Sequence, residues 1–383
     1  MENFNYQPSV SYWEIKQYLQ NIDLLVIGSG IVGLTTAIFY KKRYPKKRVL
    51  IVEKGILPSG ASTKNAGFAC FGSPSEILSD LENSSEQEVY NLIEKRLSGL
   101  RELRSLVGDI NLDYEACGGF EIFRPEDETL YNKCLAFISE ANKQLEARLN
   151  LKSTYSPVDS RIYEFGFKGV EHLIVNQHEG TIDTGKMIST LVKTAHNLGV
   201  ILLNGMEVME FTDTVNSVHL QFTNGLALNC KKMHVATNGF ASRILPNLDV
   251  KPARAQVLIT SEIDSLKMKG TFHMNEGFYY FRNVGNRVLF GGGRDLNVAG
   301  ETNDSLEVTD QIQSKLDEFL KSMILSSSEY KIEHRWAGVM GVGQSKTTII
   351  ERLSENVSCA VRLGGMGIAI GTSIGKESAQ LIE

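Results

Sequence analysis

The sequence predicts an α/β fold that opens with a Rossmann-like βαβ unit and has room for a second domain. Three observations predict it. DLLVIGSGIVGLTTA (23–37) is an apolar strand, a turn carrying Gly28, Gly30 and Gly33 in G-x-G-x-x-G spacing, and then a helix. VLIVE (49–53) is a second apolar strand ending in a carboxylate. The 383 residues include 34 glycines and only 8 prolines, as suits two domains with many tight βα turns.

The elements follow in order. Residues 22–27 read as a buried strand, and 31–43 as a helix with Ile31, Leu34, Ile38 and Phe39 on one face. KKRYPKKR (41–48) is a solvated basic turn before the strand 49–53. GILPSGASTKNAGFACFGSPSE (55–76) has small residues and no periodicity, so it reads as a functional loop. Residues 76–107 and 126–149 read as helices with charged faces, and 112–124 as strands between them. The segment 181–211 reads as helix, strand, strand. Asn224-Gly225 marks a hairpin within 217–239, and 278–293 is another hairpin. Residues 305–326 read as a helix, 333–342 as strand and loop, and 357–383 as strand, glycine turn and helix.

Composition narrows the function. The formal charge of −5 gives no basic surface for nucleic acid. No run reaches the roughly 18 apolar residues of a membrane helix. The N-terminus, MENFNYQPSVSYWEIKQYLQ, is polar and lacks the apolar segment of a signal peptide. Its Tyr12 and Trp13 are expected to pack on the body. The five cysteines (Cys70, Cys117, Cys134, Cys230, Cys359) form no CxxC pair and no zinc spacing, so no metal site is expected. Their odd number and wide spacing fit reduced thiols in a cytoplasmic protein.

In the first turn, Gly28 allows the tight bend, Gly30 lets a pyrophosphate approach the backbone, and Gly33 lets the helix pack on the strand. The helix N-terminus then offers free N–H groups and partial positive charge. Glu53 lies 20 residues beyond Gly33, where a carboxylate can bind ribose hydroxyls and repel a 2′-phosphate. The chain does not continue into further βα units after Glu53. It ends instead in a second glycine turn, LGGMGIAIG (363–371), opening the last helix. Two helix N-termini suit FAD, whose pyrophosphate and reduced isoalloxazine edge both carry negative charge.

VIGSGIVGLTTA, VEKGILPSGASTKNAG, VATNGFASRILPNLDVKPARAQVLIT, YYFRNVGNRVLFGGGR and LGGMGIAIG occur in the order found in one family. Over residues 20–383 the chain resembles the D-amino-acid-oxidase superfamily of FAD-dependent oxidoreductases, which includes glycine oxidase, sarcosine oxidase and γ-glutamylputrescine oxidase. The resemblance implies an FAD-binding Rossmann-like domain of the glutathione-reductase type, assembled from 20–75, 165–245 and 337–383. Residues 76–164 and 246–336 would form an α+β substrate domain on an antiparallel sheet, and 1–19 an N-terminal extension. No cysteine lies near 333–345 and the loop 60–70 has only Cys70, so FAD is expected to bind non-covalently, held by Gly28, Gly30, Ile31, Val32, Gly33, Glu53 and Lys54 at the first turn. Ser62, Thr63 and Lys64 would border the pyrophosphate and ribityl chain, with Asn65, Ala66, Gly67 and Phe68 beside the ring. Val208, Thr237 and Gly239 would close over the adenosine half. Gly364, Gly365, Met366, Gly367, Ile368 and Ala369 would meet the ribityl and O2 edge.

Tyr279 falls where glycine oxidase-like chains place a substrate-contacting tyrosine. Strand alternation pairs Tyr279 with Phe281 and Tyr280 with Arg282, and only one pair can face the flavin. Many relatives carry GLRP, whose arginine clamps the substrate carboxylate; here the segment is Gly338-Val339-Met340-Gly341. Either Arg282, Arg294 or Arg335 takes that role, or the substrate lacks a carboxylate there. Met340 and Trp336 fit a less polar pocket, and His334 adjoins it. The reading that results is oxidation of a C–N bond in a small amine or amino-acid derivative. A hydride would pass to flavin N5 and leave an imine. Rival readings are C–O oxidation of a 2-hydroxy acid or polyol phosphate, an NAD-dependent dehydrogenase, and a non-catalytic flavoprotein subunit. The sequence leaves the oligomeric state open.

Overall fold

A parallel pair, β1 (Ile22–Ile27) and β2 (Val49–Glu53), joined by helix α1 (Ile31–Arg43), forms the βαβ unit that the sequence predicts. Leu24 lies opposite Val49 and Ile27 opposite Val52. The computed structural model describes residues 10–382. Residues 1–9, the start of the expected N-terminal extension, lie outside the described residues.

The remaining elements run β3 (Phe68–Ala69), α2 (Pro74–Asn83), α3 (Glu86–Val107), β4 (Gly119–Phe123), α4 (Glu128–Leu149), β5 (Tyr155–Pro157), β6 (His172–Asn176) and β7 (Gly180–Thr181). Then come α5 (Thr184–Asn197), β8 (Ile201–Asn204), β9 (Val208–Asp213), β10 (Val218–Phe222), β11 (Ala227–Val235), β12 (Lys251–Thr260), β13 (Thr271–Met274) and β14 (Tyr279–Val284). The chain closes with β15 (Arg287–Gly292), α6 (Asp310–Phe319), β16 (Ile332–Val342), β17 (Ile349–Arg352), β18 (Val357–Val361) and α7 (Gly367–Leu381).

The first sheet has the order β17–β18–β11–β1–β2–β8 and is parallel from β18 to β8. An antiparallel meander, β9 and β10, extends from β11. Its central strands are apolar on both faces, so they can only be buried on both. Leu24 and Val26 pack with α1, α5 and α7 through Leu34, Leu191 and Ile374. Leu25 and Ile27, pointing the other way, pack with Leu220 and Phe222. Each fully buried aliphatic side chain contributes roughly 1.5–3 kcal/mol relative to exposure. Helix α3 crosses α7 closely enough that a Cβ on Gly99 would lie 2.1 Å from the Ala369 carbonyl oxygen.

The second sheet, β16–β12–β15–β14–β13–β4–β6–β5, is antiparallel except where β13 meets β4. Its core is aromatic: Phe272 stacks on Phe281 at 5.0 Å, and Phe120, Phe290 and Phe319 of α6 join them. Helices α2 and α4 pack at the opposite end around Tyr131 and Cys134. The two-stranded β3–β7 pair sits beside the loop 55–67.

Several expectations are corrected. Between the two long helical regions only Gly119–Phe123 is strand, and Asp109–Leu112 is a helical turn closed by Asp113 in the left-handed region. The helix expected over 305–326 begins at Asp310, because Gln256 Oε1 accepts from the Thr309 amide and holds the preceding chain extended. It widens into a π-turn at Leu320–Ile324. Residues 332–342 are strand throughout, paired with β12 from Lys251↔Val342 to Thr260↔Ile332. Strand β6 and the whole of β16 pair within the second sheet. Tyr12 and Trp13 are exposed, and among the described residues their rings meet each other and Lys16 rather than the body. Of the α1 face, Ile31, Leu34 and Ile38 are buried, and Phe39 is half-buried.

Candidate active site

A single cavity of about 460 Å³ runs from the C-terminal ends of β1 and β2 to one face of the second sheet. Open α/β sheets bind ligands at that end because the helix N-termini and the βα turns meet there. Gly28 has φ +103°, and an added Cβ would lie 2.9 Å from the Ala236 carbonyl oxygen. A Cβ on Gly33 would lie 1.9 Å from the Gly28 carbonyl oxygen, so α1 can sit this close to β1 only without one. The first turn of α1 leaves amides without intrahelical acceptors. The Ser62 hydroxyl accepts from the Ile31 amide at 3.0 Å.

Glu53 is 7% exposed at the end of β2. One carboxylate oxygen accepts from the Ser29 amide at 3.1 Å and its hydroxyl at 2.8 Å, and the other from the Gly55 amide at 3.0 Å. The opposite wall is the turn before α7. The Asn238 side-chain oxygen accepts from the Leu363 amide at 3.1 Å, and Gly364, with φ +58°, donates to the Gly341 carbonyl at 2.9 Å.

The roof is one face of the second sheet, where a register row holds Glu121 of β4, His273 of β13, Tyr280 of β14, Gly291 of β15, Val257 of β12 and Trp336 of β16; of these, His273 and Tyr280 line the cavity. Residues directly opposite share a face. The ring of Tyr280 lies across Gly291, where a Cβ would come within 2.7 Å of it. Phe68 packs edge-on against both His273 (6.2 Å) and Tyr280 (5.9 Å). Burial lowers the pKa of His273 and pushes that of the Tyr280 hydroxyl up to about 12. Behind His273, burial raises the Glu121 carboxyl to about 7; Ser73 and Ser75 donate to it.

Most residues expected to hold the cofactor line this cavity: Gly28, Gly30, Ile31, Val32, Glu53, Lys54, Ser62, Lys64, Asn65, Ala66, Phe68, Val208, Thr237 and the run Gly364–Ala369. Gly33 lies under Gly28, and Gly239 is packed against the Met340 carbonyl. Thr63 is turned back, its hydroxyl donating to the Pro58 carbonyl at 2.9 Å. The Gly67 carbonyl is occupied by Arg282.

The substrate candidates divide differently. Met340 lines the cavity. Tyr279 does not: it is buried on the opposite face against Phe290 and Phe319, and its neighbour Tyr280 takes the roof. Arg282 shares the face of Tyr280, but Nη1 donates to the carbonyls of Gly67 and Ile182 at 3.0 Å each. Arg335 points away to α6, where it binds both oxygens of Asp317 at 2.8 and 2.9 Å and also donates to Gln313. His334 is exposed and stacked on Trp336, whose indole N–H donates to the Lys64 carbonyl at 3.0 Å. Arg294 lines the cavity. Sequence reasoning missed His273, Glu76 and Phe278, which also line it. Only the alternation in β14 offered a signal, and it left the choice between Tyr279 and Tyr280 open.

The residues present fit FAD. Two helix N-termini face one cavity, a glycine turn leaves no room for a Cβ, a carboxylate sits at the next strand end, and the Thr237 hydroxyl in the wall is buried without a partner. The family described as FAD dependent oxidoreductase matches residues 23–381. Among solved structures, glycine oxidase from Bacillus cereus superposes with a TM-score of 0.75 at 17% identity, covering 94% of each chain. L-proline dehydrogenase from P. horikoshii gives 0.73 at 17% identity, covering 95% of this chain and 94% of that one. Iminodiacetate oxidase from a Chelativorans species gives 0.71 at 18% identity, covering 94% and 95%. A search of curated proteins finds no match.

Proposed function

The chain belongs to the DAO family of FAD-dependent oxidoreductases, and from that premise we propose that it oxidises the C–N bond of an amine or amino-acid derivative. The observation that carries this reading is the roof. A neutral imidazole and a neutral phenol, His273 and Tyr280, share one wall of the cavity with Phe68, and the glycine turns form the other.

Bound FAD supplies the hydride acceptor. Gly28, Gly30 and the α1 N-terminus would carry its pyrophosphate, Glu53 its ribose, and the α7 N-terminus the ring edge that gains charge on reduction. Burial holds the Cys70 thiol well above its ordinary pKa, so it stays protonated, which supports non-covalent binding.

The protein's own tasks are then positioning, exclusion of water and removal of one proton. An ammonium cannot release hydride from its α-carbon until it loses a proton. His273, kept neutral by burial, can accept that proton, and the nearby Glu76 charge offsets part of the cost that burial places on the imidazolium formed. Phe68, Tyr280 and Met340 keep the reacting carbon in an apolar environment. The neighbours named glycine oxidase and iminodiacetate oxidase support the same reaction class.

The test is anaerobic bleaching of the flavin in the purified protein by amines, D- and L-amino acids, N-methyl amino acids and hydroxy acids. Bleaching by a nitrogen compound is expected. Bleaching by hydroxy acids alone would replace this reading with C–O oxidation.

A further inference from the structure

The first sheet has a second functional edge, at the end away from the cavity. Strands β1, β2 and β11 are parallel and all run toward the cavity, so the residues that precede them gather at the far end. The helical segment Tyr12–Leu19 leads into β1 at this same end. Its flanks are fastened, because Val10 and Leu19 pack with Ile22 and Leu25 in the core. The Arg48 guanidinium donates to the Gln17 carbonyl and so ties the segment to the basic turn KKRYPKKR (41–48). Held in this way, the segment turns Tyr12, Trp13 and Tyr18 out to solvent, and Trp13 is 71% exposed.

Positive charge gathers beside these rings. The turn holds six cations and no acid in eight residues, and Lys42, Arg43, Lys46 and Lys47 are exposed. Lys231 of β11 joins them, sharing Asp23 with Lys47 at 3.0 and 3.3 Å. Lys16 bridges the two groups, with Nζ 5.8 Å from the centroids of both the Tyr12 and the Trp13 rings. Of the nearby acids, Asp23 serves those two lysines, and Glu14 accepts from the Ser11 amide at 2.7 Å. We propose that this edge is a docking surface for an anionic lipid bilayer, on which the protein rests through Tyr12, Trp13, Tyr18 and the cations of 41–48.

Two signals meet here. Tryptophan and tyrosine rings have an apolar body and a polar tip, and they settle where lipid headgroups meet water. Lysine and arginine beside them reach lipid phosphates, and each adds to the attraction of an anionic leaflet. Together the two give reversible binding where one alone is marginal. Among the described residues no helix is long and apolar enough to cross a membrane, so the contact is with one face of the bilayer. The chain carries a formal charge of −5, so the rest of its surface is repelled and this edge is turned toward the lipid. The same surplus opposes a nucleic acid, whose charge extends beyond the patch. The cavity lies at the other end of the sheet, so docking and substrate binding use different surfaces.

The experiment sediments the FAD-loaded protein with vesicles of phosphatidylcholine alone and of phosphatidylcholine and phosphatidylglycerol in equal parts. The mixed vesicles are expected to bind at least about 10-fold more tightly at low salt, and about 0.5 M salt should release most of the protein. The chain has two tryptophans, so in Trp336→Phe the emission reports Trp13 alone, and it should move to shorter wavelength on binding. The double variant Lys42→Gln/Lys46→Gln should weaken binding by about 10-fold or more. Trp13→Ser should weaken it by about 3- to 10-fold. Retained flavin absorbance shows that the variants fold. The proposal does not rest on the reaction assigned above, and flavin bleaching by soluble substrates should be unchanged in Trp13→Ser and in the lysine pair. Equal binding to both vesicles, full binding by the lysine pair, a Trp13 emission that does not move, or tighter binding to a DNA duplex at equal phosphate would each overturn the proposal.

Discussion

Arg282 Nη1 donates to the Gly67 carbonyl at 3.0 Å and so ties the roof strand β14 to the loop that passes beside the cavity. The same nitrogen reaches the Ile182 carbonyl at 3.0 Å. Arg282, one of the arginines that the sequence offered as a substrate clamp, braces the second sheet against the segments flanking the β3–β7 pair. At Gly67, with φ +73°, a Cβ would lie 2.3 Å from the Ile182 oxygen, so this close approach requires glycine. The Gly67 carbonyl also accepts from the Ile182 amide at 2.9 Å, so Arg282→Met should deprive chiefly the Ile182 carbonyl of its donor and destabilise the protein by about 1–3 kcal/mol. It should shift flavin retention and melting temperature together. The rate of anaerobic flavin reduction per flavin-loaded molecule should not change. A selective loss of that rate with normal melting would restore Arg282 as a substrate residue.

Two glycines of the first turn should fail in different ways. At Gly33 the obstacle is the protein itself, the Gly28 carbonyl oxygen 1.9 Å from a Cβ, so Gly33→Ala should lose folded protein. At Gly30 a Cβ would meet only the Ser62 hydroxyl at 3.0 Å. Gly30→Val should fold with near-normal circular dichroism but purify colourless. A Gly30→Val protein carrying a full complement of FAD would exclude the turn as the pyrophosphate site.

How much of this was legible follows the range of each interaction. The turn 28–33, Glu53 and the glycine run before α7 are local devices whose residue types announce their geometry, and they line one cavity. The roof is a non-local object. His273, Tyr280, Gly291, Val257 and Trp336 come from five strands scattered over more than 70 residues, and register alone aligns them. Strand alternation identified the pair Tyr280 and Arg282 but not which way it faced. The arginines differ by partners no spacing rule supplies: Asp317 on α6 for Arg335, backbone carbonyls for Arg282. The sheet assignments of β6 and β16 depend on pairing over long separations for the same reason.

His273 makes a pH prediction. Burial lowers its pKa below the ordinary 6.5, so the neutral, proton-accepting form persists to lower pH than a free imidazole allows. The wild-type rate of flavin reduction should hold on going down through pH 6.5. In His273→Asn no acceptor remains, and the rate should rise with pH as the substrate amine loses its own proton. At neutral pH the loss should be about 10²- to 10⁴-fold. Stopped-flow reduction across pH 6–10 measures both limbs. Parallel profiles for the two proteins would remove His273 from proton transfer.

Glu179 makes a prediction about stability. It is fully buried, with one carboxylate oxygen accepting from the amides of Phe71 at 2.9 Å and Gly72 at 3.2 Å. The other oxygen has no partner and is pressed against Gly119. Burial raises its pKa from 4.5 to about 8. The folded state thus binds a proton that the unfolded state releases above pH 4.5, so stability is greatest below that value and falls as pH rises through about 8. The full effect is on the order of 4 kcal/mol, reduced by any water that reaches the site. Glu179→Gln keeps the shape and the acceptor for both amides but removes the ionisation. With FAD saturating throughout, its melting temperature should match wild type near pH 5 and exceed it by several degrees at pH 8.5. Melting temperatures that differ by the same amount at every pH in that range would mean that Glu179 carries the same charge folded and unfolded.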